Sequence, residues 1–219
     1  MTPDAFVEEM DHALQQLLSV RDQALQNLDN TAGRADMTVL LQGALRAEFE
    51  AAEIAAMWVP STPEVEAKLA FACQAGDEAR HYRTIATRLG ELGVGPAATY
   101  APVTTHSKLY QYLESLTTTA ERVAAAQLTR EAIGYKSNEL FIAYCEKVGD
   151  QKTAEMYRTQ IQPDEKRHHE WGKQLLPQFV PDDTTQAAAR KAILKTLELA
   201  EELRSLAVGK LVVETLPGC

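Results

Sequence analysis

The chain has 219 residues, a mass of 24.2 kDa, 45% apolar and 24% charged residues, and a formal net charge of −9. That is enough to bury one sizeable core, so residues 1–219 read as a single domain rather than a disordered segment. The acidic balance excludes a phosphate-tracking nucleic-acid binder, which needs a basic face. No apolar run nears the ~18 residues of a membrane span.

Apolar residues recur at helical spacing from end to end, without a period-2 run, so the expected class is all-α. Phe6, Met10, Leu14, Leu17 and Ala24 mark a first helix, followed by a polar break from Asn30 to Asp36. A second helix spans about Thr38 to Val59, and Pro60 and Pro63 bracket a turn. Ser61 and Glu64 have the spacing of a capping box. A third helix runs to about Leu92, before a loop rich in glycine and proline (Gly93, Gly95, Pro96, Pro102). A fourth is expected to run unbroken from Ser107 to Val148, where Gly149-Asp150 is a stop and a new N-cap. A fifth covers Gln151 to Leu176, with Pro163 expected to kink it just before Glu165. Ile193, Leu197, Ala200 and Leu203 mark the last helix. Short connections make neighbouring helices antiparallel.

One five-residue string occurs twice: Asp77-Glu78-Ala79-Arg80-His81 and Asp164-Glu165-Lys166-Arg167-His168. Glu and His three apart share a helical face, so both reach one metal ion from the same side. With 21 Glu and 5 His, fewer than one E-x-x-H is expected by chance. Two copies that also share Asp and Arg are a stronger signal. A third match, Glu9 and His12, lacks those flanking residues and reads as a solvated face.

Residues equidistant from a helical turn lie at one level. Residue 63 is the midpoint of Glu48 and Glu78, and residue 148 that of Glu131 and Glu165. Glu48 lies on the apolar stripe of Leu41, Leu45 and Ala55, and Glu131 shares a face with Ala124, Leu128 and Tyr135. Glu50 and Glu139 are the alternatives on the same helices. A Glu from each of two helices plus E-x-x-H from each of two others is the inward-facing set of a four-helix di-metal site. The mixed O/N set suits two iron ions, or manganese, better than zinc.

On these residues the chain resembles the ferritin-like di-iron carboxylate superfamily over about Thr38 to Leu176. That group includes bacterioferritins, rubrerythrins, the ribonucleotide reductase small subunit and di-iron oxygenases. The resemblance implies a four-helix bundle with additional N- and C-terminal helices, and Glu48, Glu78, His81, Glu131, Glu165 and His168 as ligands. It also implies an oxidoreductase that activates dioxygen or peroxide on an organic substrate and takes electrons from a donor protein. A ferroxidase or peroxidase is the alternative enzyme, and a metal-free interaction subunit the alternative outside enzymes. Apolar stripes on the terminal helices point to a homodimer.

Around the ligands, Asp77 and Asp164 either hold the histidine of the opposite string through its second nitrogen or are surface-facing helix carboxylates. Arg80 and Arg167 either pair with those aspartates or face water. Tyr135 is either a phenol serving the site or a core tyrosine. His169, about 100° round the helix from His168, is expected to be exposed, and His106 to belong to a helix start. Cys73, Cys145 and Cys219 read as reduced thiols of a cytoplasmic protein. The first residues, Met1 to Asp4, show no secretory signal.

Overall fold

The structure is a computed structural model that describes residues 1–29, 36–101 and 103–214, with the side chains of 21–29 and 206–214 left aside. The expected break at Asn30–Asp36, apart from Asp36, lies outside these residues, as do Pro102 and Cys219. So does the side chain of Ala24. Every regular element among the described residues is helical. No helix among them is long and apolar enough to cross a membrane.

Helix α1 (Pro3–Asp29) buries Phe6, Val7, Met10, Leu14 and Leu18, a stripe with four-residue spacing that leaves Leu17 54% exposed. Asp36 caps α2 (Met37–Ser61) by accepting from Thr38 N at 2.8 Å. Pro60 sits inside the last turn of α2, so the helix runs two residues past the expected stop. The Ser61–Glu64 capping box does not form, because Ser61 is still helical. Its hydroxyl instead donates to Met57 O and Trp58 O at 3.4 Å. Helix α3 (Val65–Glu91) packs along α2, and Gly93 turns the chain with φ +90°. A single turn, α4 (Pro96–Thr99), interrupts the following loop.

The expected fourth helix is broken. Helix α5 (Lys108–Glu114) ends before Ser115, and Thr118 starts α6 (Thr119–Val123) with a true capping box to Glu121. The β-branched run Thr117–Thr119 favours caps over helix interiors. Buried Arg122 pins the break by donating to Leu116 O at 3.1 Å and Thr62 Oγ1 at 3.1 Å. Residues Ala124–Arg130 form a π-helical stretch that leads into α7 (Glu131–Val148). Gly149, at φ +86°, ends α7, and Asp150 caps α8 (Gln151–Met156).

A second π-helical stretch, Tyr157–Ile161, precedes α9 (Gln162–Leu175). Pro163 lacks the N–H that an α-turn needs, and the widened stretch just before it accommodates the missing bond. After a 3₁₀ turn (Leu176–Phe179), α10 (Asp183–Glu214) packs on α5, α6 and the first π-helical stretch. It buries Ala192, Ile193, Thr196 and Leu199, keeps Leu197 and Ala200 half-buried, and exposes Leu203.

Two large apolar clusters, and a small third one of Leu14, Leu18 and Ala132, fill the interior. The larger holds Phe6, Trp58, Phe71, Val123, Leu128 and Leu176. The other holds Leu41, Leu45, Ile85, Leu89, Tyr157 and Ile161. Chain order along α2, α3 and the α8–α9 helix passes from one cluster to the other, and Glu48, Glu78–His81 and Glu165–His168 fall at the crossover.

Candidate metal centre

The six expected ligand residues are all buried, from 0% exposed for Glu78, His81, Glu131 and His168 to 8% for Glu48. Glu48, Glu78, His81 and Glu165 bring one ligand atom each within 4.8 Å of one another, and so do Glu78, Glu131 and His168. Glu78 belongs to both groups. His81 Nδ1 lies 3.0 Å from Glu78 Oε2 and 3.6 Å from both Glu48 Oε2 and Glu165 Oε1. His168 Nδ1 lies 3.2 Å from Glu131 Oε2 and 3.4 Å from Glu78 Oε1.

The far nitrogens cross over. His81 Nε2 is 3.1 Å from Asp164 Oδ2, and His168 Nε2 is 3.0 Å from Asp77 Oδ2. Burial pushes both aspartates up, but bonds from the histidines and arginines hold them below the usual carboxylate range. They are therefore acceptors, Nε2–H donates, and Nδ1 faces the cluster. Arg80 bridges Asp77 and Asp164 at 2.6 and 2.7 Å, and Arg167 bridges them at 2.7 and 2.5 Å. Both arginines pair with the aspartates, and each string braces the histidine of the other.

The carboxylates are in excess. Burial, then Glu131, Glu78 and Glu48, push Glu165 well above the usual range. Burial also pushes Glu48 up to about 7, whereas hydrogen bonds from His168, His81 and Glu48 outweigh burial at Glu78 and pull it well down. Burial works against both imidazolium ions, yet Glu48 and Glu78 hold His81 at about 11, and Glu131 and Glu78 hold His168 at about 11. The protein groups thus hold protons where a cation would otherwise balance the charge, and metal binding releases them. With its oxygen and nitrogen donors converging on two overlapping points, the cluster can hold a metal ion.

The alternatives on the same helices lie outside these groups. Glu50 accepts from Ser107 N at 2.8 Å and Ser107 Oγ at 2.5 Å, which anchors the start of α5. Glu139 is exposed and pairs with Lys136 at 2.8 Å. Tyr135 is half-buried, with the Lys136 ammonium 5.8 Å from its ring centroid. His106 precedes the N-cap Ser107 and stacks on Tyr110, as expected of a helix start. His12 and Glu9 are exposed, and Glu9 pairs with Arg190 at 3.2 Å. Cys73 and Cys145 are free thiols, exposed and buried respectively.

His169 is a correction: it is 8% exposed rather than solvated. Helix α1 covers it, and Nδ1 lies 2.8 Å from Leu128 O while Nε2 lies 3.1 Å from Asp11 Oδ1. Facing away from the ligands is not facing water when another helix packs there.

Several residues at the site were not singled out by spacing. Gln74 Nε2 donates to Glu131 Oε1 at 2.9 Å, and Arg130 donates to the same oxygen at 3.0 Å and to Ala47 O at 3.0 Å. Burial opposes the Arg130 charge, but Glu131, Glu78, Glu48 and Glu165 hold its pKa above the ordinary value. Tyr157 is 1% exposed with an unpartnered hydroxyl, and burial and the charges of Glu48 and Glu165 hold its pKa well above the ordinary value. Gly134 makes room for Glu165, since a Cβ there would lie 2.5 Å from Glu165 Oε2. Helical periodicity was a usable signal for two of these: Gln74 is one turn before Glu78, and Tyr157 is eight residues before Glu165.

Fold and site together define an all-helical protein with buried carboxylate–imidazole groups able to hold a metal ion. Residues 8–198, which contain all six candidate ligand residues, match the model of the family described as "Protein of unknown function (DUF455)", and the chain belongs to that family. No curated protein and no solved structure matches it.

Proposed function

We propose that the chain is a ferritin-like di-iron carboxylate oxidoreductase that activates dioxygen or peroxide on an organic substrate. The observation that carries this reading is the paired cluster: Glu78 is common to both groups, and each histidine is braced by the aspartate of the other string. Glu48, His81 and Glu165 would hold one ion, Glu131 and His168 the other, and Glu78 both. Bound iron would supply reversible redox change and open positions for the oxidant. The chain's own part is orientation and exclusion of water. Asp77 and Asp164 keep Nδ1 of each histidine aimed inward, Gln74 and Arg130 hold Glu131, and the two large apolar clusters flank the site. That apolar surrounding favours a carbon substrate over hydrated iron, the substrate of a ferroxidase. An electron-donor protein and a homodimer belong to the same reading.

Metal analysis of protein purified from its native host tests the metal, with two iron or manganese ions per chain expected. Excess ferrous iron in air tests the reaction. The expected result is about one reaction per reduced pair, followed by a wait for electrons. Rapid oxidation and storage of many irons per chain would overturn it.

A further inference from the structure

Beside Glu131, helices α2, α3, α5 and the first π-helical stretch enclose a small cavity. Ala51, Ile54, Ala55 and Ala126 give it apolar walls, and Trp58, Gln74 and Arg130 also line it. Its volume is about 10 Å³, room for one very small molecule.

Two of the lining side chains have an unsatisfied polar atom. Trp58 is 1% exposed and its Nε1–H has no acceptor; Gln74 is 2% exposed and its Oε1 has no donor. A buried polar atom left unpaired costs about 1–3 kcal/mol, and the side chain that carries this donor and the one that carries this acceptor line the same cavity. Gln74 is oriented by its other end, which donates to Glu131 Oε1. Arg130 does not make this an anion site, because its guanidinium is bound by Glu131 and Ala47 O.

We propose that this cavity binds a neutral hydroxyl compound of one or two heavy atoms, water at rest and hydrogen peroxide as reactant. The bound molecule accepts from Trp58 Nε1–H and donates to Gln74 Oε1. Dioxygen has no hydrogen to donate and would leave Gln74 Oε1 unpaired. A larger organic molecule exceeds the space, and the aliphatic walls disfavour an ion. The bound hydroxyl is one side chain away from a candidate metal ligand, through the Gln74 amide. The inference rests on the oxidoreductase reading and selects peroxide as the oxidant.

The test reads the indole N–H directly, on protein stripped of metal. Ultraviolet resonance Raman difference spectra against Trp58→Phe isolate Trp58 from Trp171. The expected result is a hydrogen-bonded Trp58 indole in buffer, with a saturable shift as hydrogen peroxide is added. Gln74→Leu, which deletes one of two hydrogen bonds, should weaken that titration about five- to tenfold. Ala55→Leu, which fills the cavity, should abolish it, with circular dichroism confirming that both variants fold. A Trp58 indole that is free of hydrogen bonds and indifferent to peroxide would overturn the site. So would an unchanged titration in folded Gln74→Leu protein, or displacement of the peroxide signal by xenon and dioxygen at equal occupancy. A chain that shows the titration but binds no transition metal keeps this site and loses the oxidoreductase reading. A di-metal protein whose Trp58 never responds loses this site alone.

Discussion

The two halves of the centre carry the same five-residue string but present it differently. In the α2–α3 hairpin both helices are regularly α-helical, and Glu48, Glu78 and His81 reach the cluster through spacing alone. In the other half, a π-helical stretch ends just before Glu131 and another ends four residues before Glu165. Each inserted residue shifts the phase of all that follows, so the second half reaches its geometry through backbone irregularity. The difference is supported by glycine. A Cβ on Gly172 of α9 would meet Leu128 N at 2.5 Å and Gln127 C at 2.7 Å, both backbone, whereas one on Gly43 or Gly76 of the first hairpin meets nothing within 4 Å. One half is a pair of regular helices packed along each other, and the other depends on close backbone packing.

The largest effect should come from the residue both halves share. Glu78→Ala removes a donor from both groups and should empty both sites, whereas Glu131→Ala should empty one. Metal content after reconstitution and desalting distinguishes these, and equal losses would show that the halves are not separate sites. Next, Gly172→Ala places a methyl group against backbone and should cost about 3 kcal/mol or more. Gly76→Ala, at an open helical position, should stabilise by about 0.5–1 kcal/mol. Urea denaturation of the two variants breaks the comparison if they behave alike.

The cross-bracing sharpens it. Asp164→Ala should weaken the ion held by His81, and Asp77→Ala the ion held by His168, each about 10–100-fold in affinity. Competition with a chelator measures this, and weakening on the same side as the mutation would refute the crossover. The smallest effect concerns α1, which braces α9. Burial pushes Asp11 up, but hydrogen bonds from His169 and Gln15 bring it down from 3.8 to about 2. A carboxyl lowered on folding stabilises fully above its unfolded value, and that contribution is lost as pH falls from about 4 through about 2. Asp11→Asn should therefore cost about 1 kcal/mol at neutral pH. The gap between variant and wild type should close across that acid window in thermal melts.

Much of this was readable from the chain, because it depended on local periodicity. The Glu78–His81 and Glu165–His168 spacings place each pair on one helical face. Gly149-Asp150 stops one helix and caps the next, and reflection through the two turns, together with the apolar helix faces, favours Glu48 over Glu50 and Glu131 over Glu139. The crossing of Asp77 and Asp164 to opposite histidines was also foreseeable once the strings were taken to face each other. Tertiary structure decided what depends on neighbours distant in sequence. Arg122 reaching Leu116 O and Thr62 fixes the break that the helical pattern of 107–148 conceals. The π-helical stretches lie beside Pro163 and where Gly172 comes close to the Leu128 backbone, and neither interrupts the apolar period. His169 is buried because α1, more than 150 residues earlier, lays Asp11 beside it. The Arg130 and Gln74 bonds to Glu131 depend on side-chain reach, which spacing does not encode. Helix faces follow from a 3.6-residue period, but the surroundings of a face follow from packing against other helices.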